Sequence, residues 1–142
     1  MFSAFANLFP FIRFVVRGES MMPNFIPGCR LLVSRVSYLF HRPQTDDVVI
    51  IRDPRNSTRE LIKRIVAVPG DKMGDIVLHE NEYFVAGDNK DHSRDSRSFG
   101  PIQRNLIVAK VVLKLRALSF PPLDISFVAP YIYFIRLWRQ KR

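Results

Sequence analysis

Taken as a pattern of apolar and polar positions, the chain has a central region of short apolar runs between two greasier ends. The central runs are RLLVSRVS (30–37), DVVIIR (47–52), ELIKRIVAV (60–68), DIVLH (75–79), EYFVA (82–86) and NLIVAKVVLKL (105–115), all rich in Val, Ile and Leu. Branched side chains suit a pleated, half-buried surface, so each run is expected to be a strand. Turn signals separate them at Pro27-Gly28, Arg42-Pro43, Asp53-Pro54, Pro69-Gly70 and Gly87-Asp88. The predicted fold is mostly β and antiparallel, a single catalytic-sized domain with short apolar terminal segments.

The ends read differently. Residues 1–16, MFSAFANLFPFIRFVV, are apolar apart from Asn7 and Arg13, and Pro10 interrupts them. A bilayer-spanning helix needs about 20 apolar residues, which this stretch lacks. It also lacks the basic start and small-residue cleavage site of a signal peptide. An interfacial anchor or the first buried strand fits it better. Residues 117–142 hold a second greasy run, ALSFPPLDISFVAPYIYFI, followed by Arg136, Arg139, Lys141 and Arg142 around Trp138. Aromatics and cations closing an apolar run resemble a membrane-interface anchor, although Asp124, Pro121 and Pro122 argue against a clean spanning helix. The chain is thus divided into an N-terminal segment 1–16, a domain 17–116 and a C-terminal segment 117–142.

Composition and charge narrow the partners. The 142 residues are 47% apolar, enough to bury a core, and the net charge of +9 favours an anionic surface, either nucleic acid or membrane headgroups. The Phe residues concentrate at the ends instead of interleaving with Lys and Arg along the strands, and no RNA-binding signature appears, so no nucleic-acid partner is expected. A basic β domain that binds nucleic acid without catalysis is the alternative of another class. Cys29 is the only cysteine, which rules out an intrachain disulfide and a Cys-based metal cluster. No HExxH or other metal-ligand spacing is present, so neither a metal nor a cofactor is expected.

Three clusters carry candidate chemistry. In Gly18-Glu19-Ser20-Met21-Met22-Pro23 a serine lies between a glycine and a proline, in a constrained turn that can present both its hydroxyl and its own N–H. Taken alone, it is a surface-loop serine. In Leu61 to Asp71, period two puts Lys63 on one strand face with Leu61, Ile65 and Ala67, and Arg64 on the other with Ile62 and Val66. A lysine among apolar neighbours loses its proton more easily, because desolvation disfavours the ammonium. Serine needs such a base, since its hydroxyl is a poor nucleophile until something takes the proton. Alone, Lys63 reads better as an edge-strand lysine whose stem covers apolar surface while its head stays wet. The third cluster, Gly87 to Gly100, is a polar loop whose Asp88, Ser93, Asp95 and Arg97 can orient a lysine amine and brace the loop with ion pairs.

Together and in this order the clusters resemble a known family. Ser20-Met21-Met22-Pro23 matches the Ser-Met-x-Pro box of signal peptidase I and its relatives, the S26 serine peptidases. Lys63 to Asp71 looks like their lysine box, and Gly87-Asp88-Asn89 through Ser93-x-Asp95-Ser96-Arg97-x-x-Gly100 like their glycine-aspartate-asparagine box. The resemblance covers residues 15 to about 110.

The resemblance implies a metal-free serine endopeptidase that removes N-terminal leader or signal peptides from precursor proteins. In it, Ser20 attacks the scissile carbonyl and neutral Lys63 is the general base. It implies that Ser93 hydrogen-bonds the lysine amine, that Asp95 with Arg97 and Asp88 with Arg64 form structural ion pairs, and that Met21 lines the substrate cleft. Gly18 stands where some members carry a Ser or Thr that completes the oxyanion hole, which leaves that task to backbone or water. The catalytic part lacks the large inserted β domain of longer bacterial signal peptidases, which points to the small branches. One is the nickel superoxide dismutase maturation protease, which would act in the cytoplasm; another is the mitochondrial inner-membrane peptidase subunit. The partners implied are a precursor with an N-terminal leader and a membrane surface, and a partner subunit is left open. Self-cleaving repressors share Ser/Lys chemistry but lack the Gly87-Asp88-Asn89 box.

Overall fold

All but one of the Val- and Ile-rich runs meet in one antiparallel sheet. The computed structural model describes residues 10–115. Nine strands form among them: β1 (Phe11–Val15), β2 (Arg30–Ser34), β3 (Val48–Asp53), β4 (Asn56–Ala67), β5 (Lys72–Met73), β6 (Ile76–Val77), β7 (Glu82–Ala86), β8 (Ile102–Gln103) and β9 (Ile107–Leu115). Single helical turns, α1 (Ser37–Phe40) and α2 (Ser96–Phe99), interrupt them. Seven strands lie in the order β1-β2-β9-β3-β4-β7-β8, and β5 pairs with β6 in a separate ribbon. The fold is mostly β and antiparallel, as expected from the sequence.

Both faces of the central strands are covered, which explains why VVII in β3 reads as a continuous apolar run with no alternation. Ile50 and its cross-strand partner Ile62 pack on one side with Val16, Met21, Leu31, Val33 and Ala109. Val49 and Ile51 turn to the other side, against Ile65, Tyr83, Val85, Ile102 and Ile107. Burying each such aliphatic side chain is worth roughly 1.5–3 kcal/mol, so the two clusters hold β3, β4, β7 and β9 rigid. Lys63 pairs with Val49 in register, which places it on β4 between the two clusters.

Several elements depart from the expected bounds. β4 begins at Asn56, four residues before its apolar run, because the turn is closed by side chains: Asp53 Oδ1 accepts the Arg55 N–H at 3.0 Å and Asn56 Oδ1 accepts the Thr58 N–H at 3.1 Å. The 30–37 run ends as a strand at Ser34, whose hydroxyl accepts the Ser37 N–H at 3.1 Å and starts α1. The 75–79 run forms only Ile76–Val77, both exposed. Of the N-terminal segment, residues 11–15 form the edge strand β1. The C-terminal segment 117–142, with its reading as an anchor, lies outside the described residues. Among those described, no helix is long and apolar enough to cross a membrane.

Candidate active site

Ser20 lies in the turn that follows β1. The turn is built by backbone bonds, Met22 N–H to Glu19 O at 3.0 Å and Phe25 N–H to Met21 O at 2.8 Å, and is anchored below by Met21. Met21 is fully buried among Val16, Leu31 and Ile62. This corrects the expectation that it lines the substrate cleft, because a long apolar side chain pointing into the sheet packs there in preference to facing water. Gly18 has φ +76°, the left-handed region that favours glycine, and its position is open, with nothing within 4 Å of an added Cβ. A serine or threonine there would meet backbone strain, not a clash.

The polar loop reaches the serine turn through its first residues. Asn89 N–H donates to Ser20 O at 2.9 Å. Gly87 sits where an added Cβ would come under 3.0 Å from Ser20 O and from Ser93 Oγ and Cβ at once. Only a residue with no side chain permits this approach, which makes Gly87 the spacer that holds the serine turn against the loop.

Lys63 is 2% exposed. Its Nζ lies 3.2 Å from Ser93 Oγ, and the Ser93 hydroxyl in turn donates to Asp95 Oδ2 at 2.6 Å. Asp95, wholly buried, also accepts from Gly87 N–H at 2.8 Å and from Arg97 through Nε at 2.9 Å and Nη2 at 2.7 Å. Burial alone would raise its carboxyl, but the bonds from Arg97, Gly87 and Ser93 outweigh that and hold it far below the usual carboxylate range. For Lys63 burial wins: desolvation pulls the amine below its ordinary value of 10.5, against the attraction of Asp95 and with the help of Arg97. Arg64 makes a forked pair with Asp88, Nε to Oδ1 and Nη2 to Oδ2, both at 2.9 Å. That pair raises Arg64. At Asp88, burial pushes upward, but the bonds from Arg64 and Asn24 prevail and lower the carboxyl.

The structure thus brings Ser20, Lys63, Ser93, Asp88, Arg64, Asp95 and Arg97 into one connected locus. The Lys63 amine bonds to Ser93 here, while among the described residues the Ser20 hydroxyl makes no hydrogen bond. The Ser20 N–H is likewise unengaged among them and free to meet an incoming carbonyl oxygen. Two residues were not singled out from the sequence. Asn24 donates to Asp88 Oδ2 at 2.8 Å across 64 residues of chain, a pairing that no local pattern signals. Gly87 belonged to the third cluster, but its role depends on contacts that only the fold creates. Among the described residues no group of three or more His, Cys, Asp or Glu side chains is placed to hold a metal.

A cleft of about 580 Å³ opens beside Ser20, lined by Phe14 and Val15 of β1 and by Leu61 and Ile62 of β4. Among the described residues both strands present an unpaired edge: β1 ends the sheet, and β7 pairs β4 only at Arg64, Ile65 and Ala67.

Comparison with known proteins gives the family. The family model of signal peptidase, peptidase S26, matches residues 1–75 and 72–116. The chain belongs to that family. Members of the S26 family are serine endopeptidases that remove signal peptides. The mitochondrial ATP-independent inner membrane protease subunit 1b of Arabidopsis thaliana is 37% identical over 111 residues, 69% of this chain and 66% of its own. The mitochondrial inner membrane protease subunit 2 of Schizosaccharomyces pombe is 36% identical over 118 residues, 75% of this chain and 63% of its own. Signal peptidase I V of Bacillus subtilis is 30% identical over 142 residues, 71% of this chain and 83% of its own. The chain spans about two thirds of the length of the first two of these relatives. A crystal structure of a signal peptidase I from Enterococcus faecalis covers 51% of this chain at 20% identity and a TM-score of 0.43.

Proposed function

We propose that this S26 peptidase cuts an N-terminal leader from a precursor protein at a membrane, with Ser20 as nucleophile and Lys63 as general base. The observation that carries the assignment is the buried Lys63 amine, held on Ser93 at 3.2 Å in the loop that Gly87 locks against the Ser20 turn. Neutral Lys63 takes the Ser20 proton as Oγ attacks the scissile carbonyl, and the Ser20 N–H donates to the oxygen that gains charge. The resulting ammonium protonates the leaving amine, and the amine, neutral again, activates the water that hydrolyses the acyl-enzyme. The leader lies extended between the free edges of β1 and β4, bonding through its backbone as an added strand. Ser93 orients the amine. The Asp95–Arg97 and Asp88–Arg64 pairs brace the loop.

The test is cleavage of a membrane-protein precursor in detergent by wild type, Ser20→Ala and Lys63→Ala across a pH series. Both variants are expected to fold and to lose cleavage, and wild-type kcat is expected to rise with pH through the lowered Lys63 pKa, since only the free amine works. Near-normal turnover by folded Lys63→Ala would remove the lysine from the chemistry.

A further inference from the structure

The turn that carries Ser20 is seated by Met21, but its outer residues Pro23 and Asn24 are exposed. Something besides core packing must stop it from rocking. We infer that Asn24 is a positioning residue for the nucleophile, a second point of attachment that acts through Asp88 and Arg64 to hold the Ser20 turn against the strand bearing Lys63. The inference rests on the proposed Ser20 and Lys63 chemistry.

The first attachment is at Ser20 itself, whose carbonyl accepts the Asn89 N–H at 2.9 Å. A single bond fixes a distance and leaves the turn able to pivot about it. The second attachment lies further along the turn, where Asn24 Nδ2 donates to Asp88 Oδ2 at 2.8 Å. Asp88 and Asn89 are consecutive, so one stretch of loop grips the turn at two places and removes the pivot. Asp88 is itself held, because Arg64 donates to both of its oxygens at 2.9 Å. Arg64 follows Lys63 on β4. The chain Asn24–Asp88–Arg64 therefore ties the nucleophile's turn to the strand of the base by a route separate from Ser93 and Asp95.

The end of β9 adds a third hold on the same residue. Lys114 Nζ donates to Asn24 O at 2.6 Å and lies 5.5 Å from the centre of the Phe25 ring. Phe25 packs against the Val16, Met21 and Leu31 cluster, so the ammonium clasps the turn from outside while Phe25 and Met21 seat it from within. Asn24 meets the loop with its side chain and β9 with its carbonyl. An amide suits this place, since it can donate to a carboxylate, whereas an ionised aspartate of the same shape can only accept. Asn24 does not line the β1–β4 cleft, so its contribution belongs to kcat more than to KM.

The test is a mutant cycle in the full-length enzyme on a leader-bearing precursor peptide. Asn24→Ala is expected to lower kcat about three- to tenfold, the range of one hydrogen bond, with KM within about twofold. Asn24→Asp, which sets a second carboxylate against Asp88, should fall further, and Lys114→Met should act in the same direction as Asn24→Ala. In an Asp88→Ala background, Asn24→Ala should change kcat by less than about twofold, because the bond it removes is already gone. A purely structural contribution of Asn24 would persist there. Amide exchange reads the attachment without cleavage: in Asn24→Ala the Asn89 N–H, bonded to Ser20 O, should exchange about three- to tenfold faster. Wild-type kcat in Asn24→Ala, or the same loss with and without Asp88, overturns the inference. Faster Asn89 exchange in an enzyme whose cleavage does not depend on Lys63 would instead overturn the proposed base and leave the two-point attachment standing.

Discussion

Gly87→Ala is the sharpest probe of how the site is assembled. The added methyl would fall under 3.0 Å from Ser93 Oγ, Ser93 Cβ and Ser20 O, where ordinary contact begins near 3.4 Å. Ser20 O belongs to backbone fixed by Asn89, and Ser93 is tied to Lys63 and Asp95, so none of the three can yield as a flexible side-chain end would. Relief requires the loop and the serine turn to part by roughly 1 Å, and a misplacement of that size costs about 100-fold in rate. Overpacking of this kind also costs about 1–3 kcal/mol of stability, which for a domain this size lowers Tm by roughly 3–15 °C. The assay pairs kcat and KM on a fluorogenic leader peptide with thermal unfolding by circular dichroism. A larger change in kcat than in KM is expected, because the serine turn is displaced while Gly87 itself does not line the β1–β4 cleft. If a folded Gly87→Ala protein retained kcat within a factor of three, Gly87 would not be the spacer between nucleophile and loop.

Two further predictions follow from the electrostatics. Lys63→Met should be inactive yet more stable than wild type at neutral pH, because the buried amine has a folded pKa below its unfolded value; that cost is fully present below the folded pKa and fades as pH rises toward 10.5. The stability gain should therefore shrink across that window in urea titrations, and a gain independent of pH would contradict the assigned burial. Arg97→Gln should move the acid limb of the kcat profile to higher pH, since it removes a cation that lowers Lys63 and leaves Asp95, which raises it, uncompensated; an unmoved or lowered limb would refute this.

Much of the sheet was legible because Val and Ile runs bounded by Pro and Gly turns favour strands, although the 75–79 run forms only Ile76–Val77. The misplaced edges are where side-chain bonds, not apolar patterning, set the element. Asn56 to Glu60 carries no apolar alternation, yet it is strand because Asp53 and Asn56 cap the turn and β3 supplies the ladder. Period two placed Lys63 with Leu61 and Ile65 correctly, whereas Ala67 falls past an irregularity between Ile65 and Ala67 and joins Phe84 in a separate cluster. The bonds of Ser93, Asp88, Asp95 and Arg97 were foreseen through resemblance to a family, not through periodicity, since a polar loop has no internal signal for which of its side chains will meet a strand. Met21 shows the converse. The motif suggested a cleft wall, and packing put it in the core.

The two ion pairs have a common electrical consequence. Lys63 lies within the influence of Asp95, Asp53 and Asp88, and each of these carboxylates favours the charged ammonium. Left bare, they would work against desolvation and favour the ammonium form. Arg97 and Arg64 each take up one carboxylate, Asp95 and Asp88, by forked bonds of 2.7–2.9 Å. With those charges matched locally, burial decides, and the Lys63 amine is lowered. The Asp95–Arg97 pair thus bears on the Lys63 amine as well as on the shape of the loop. Replacing Arg97 with a neutral residue removes a cation that lowers the Lys63 amine even where the backbone holds.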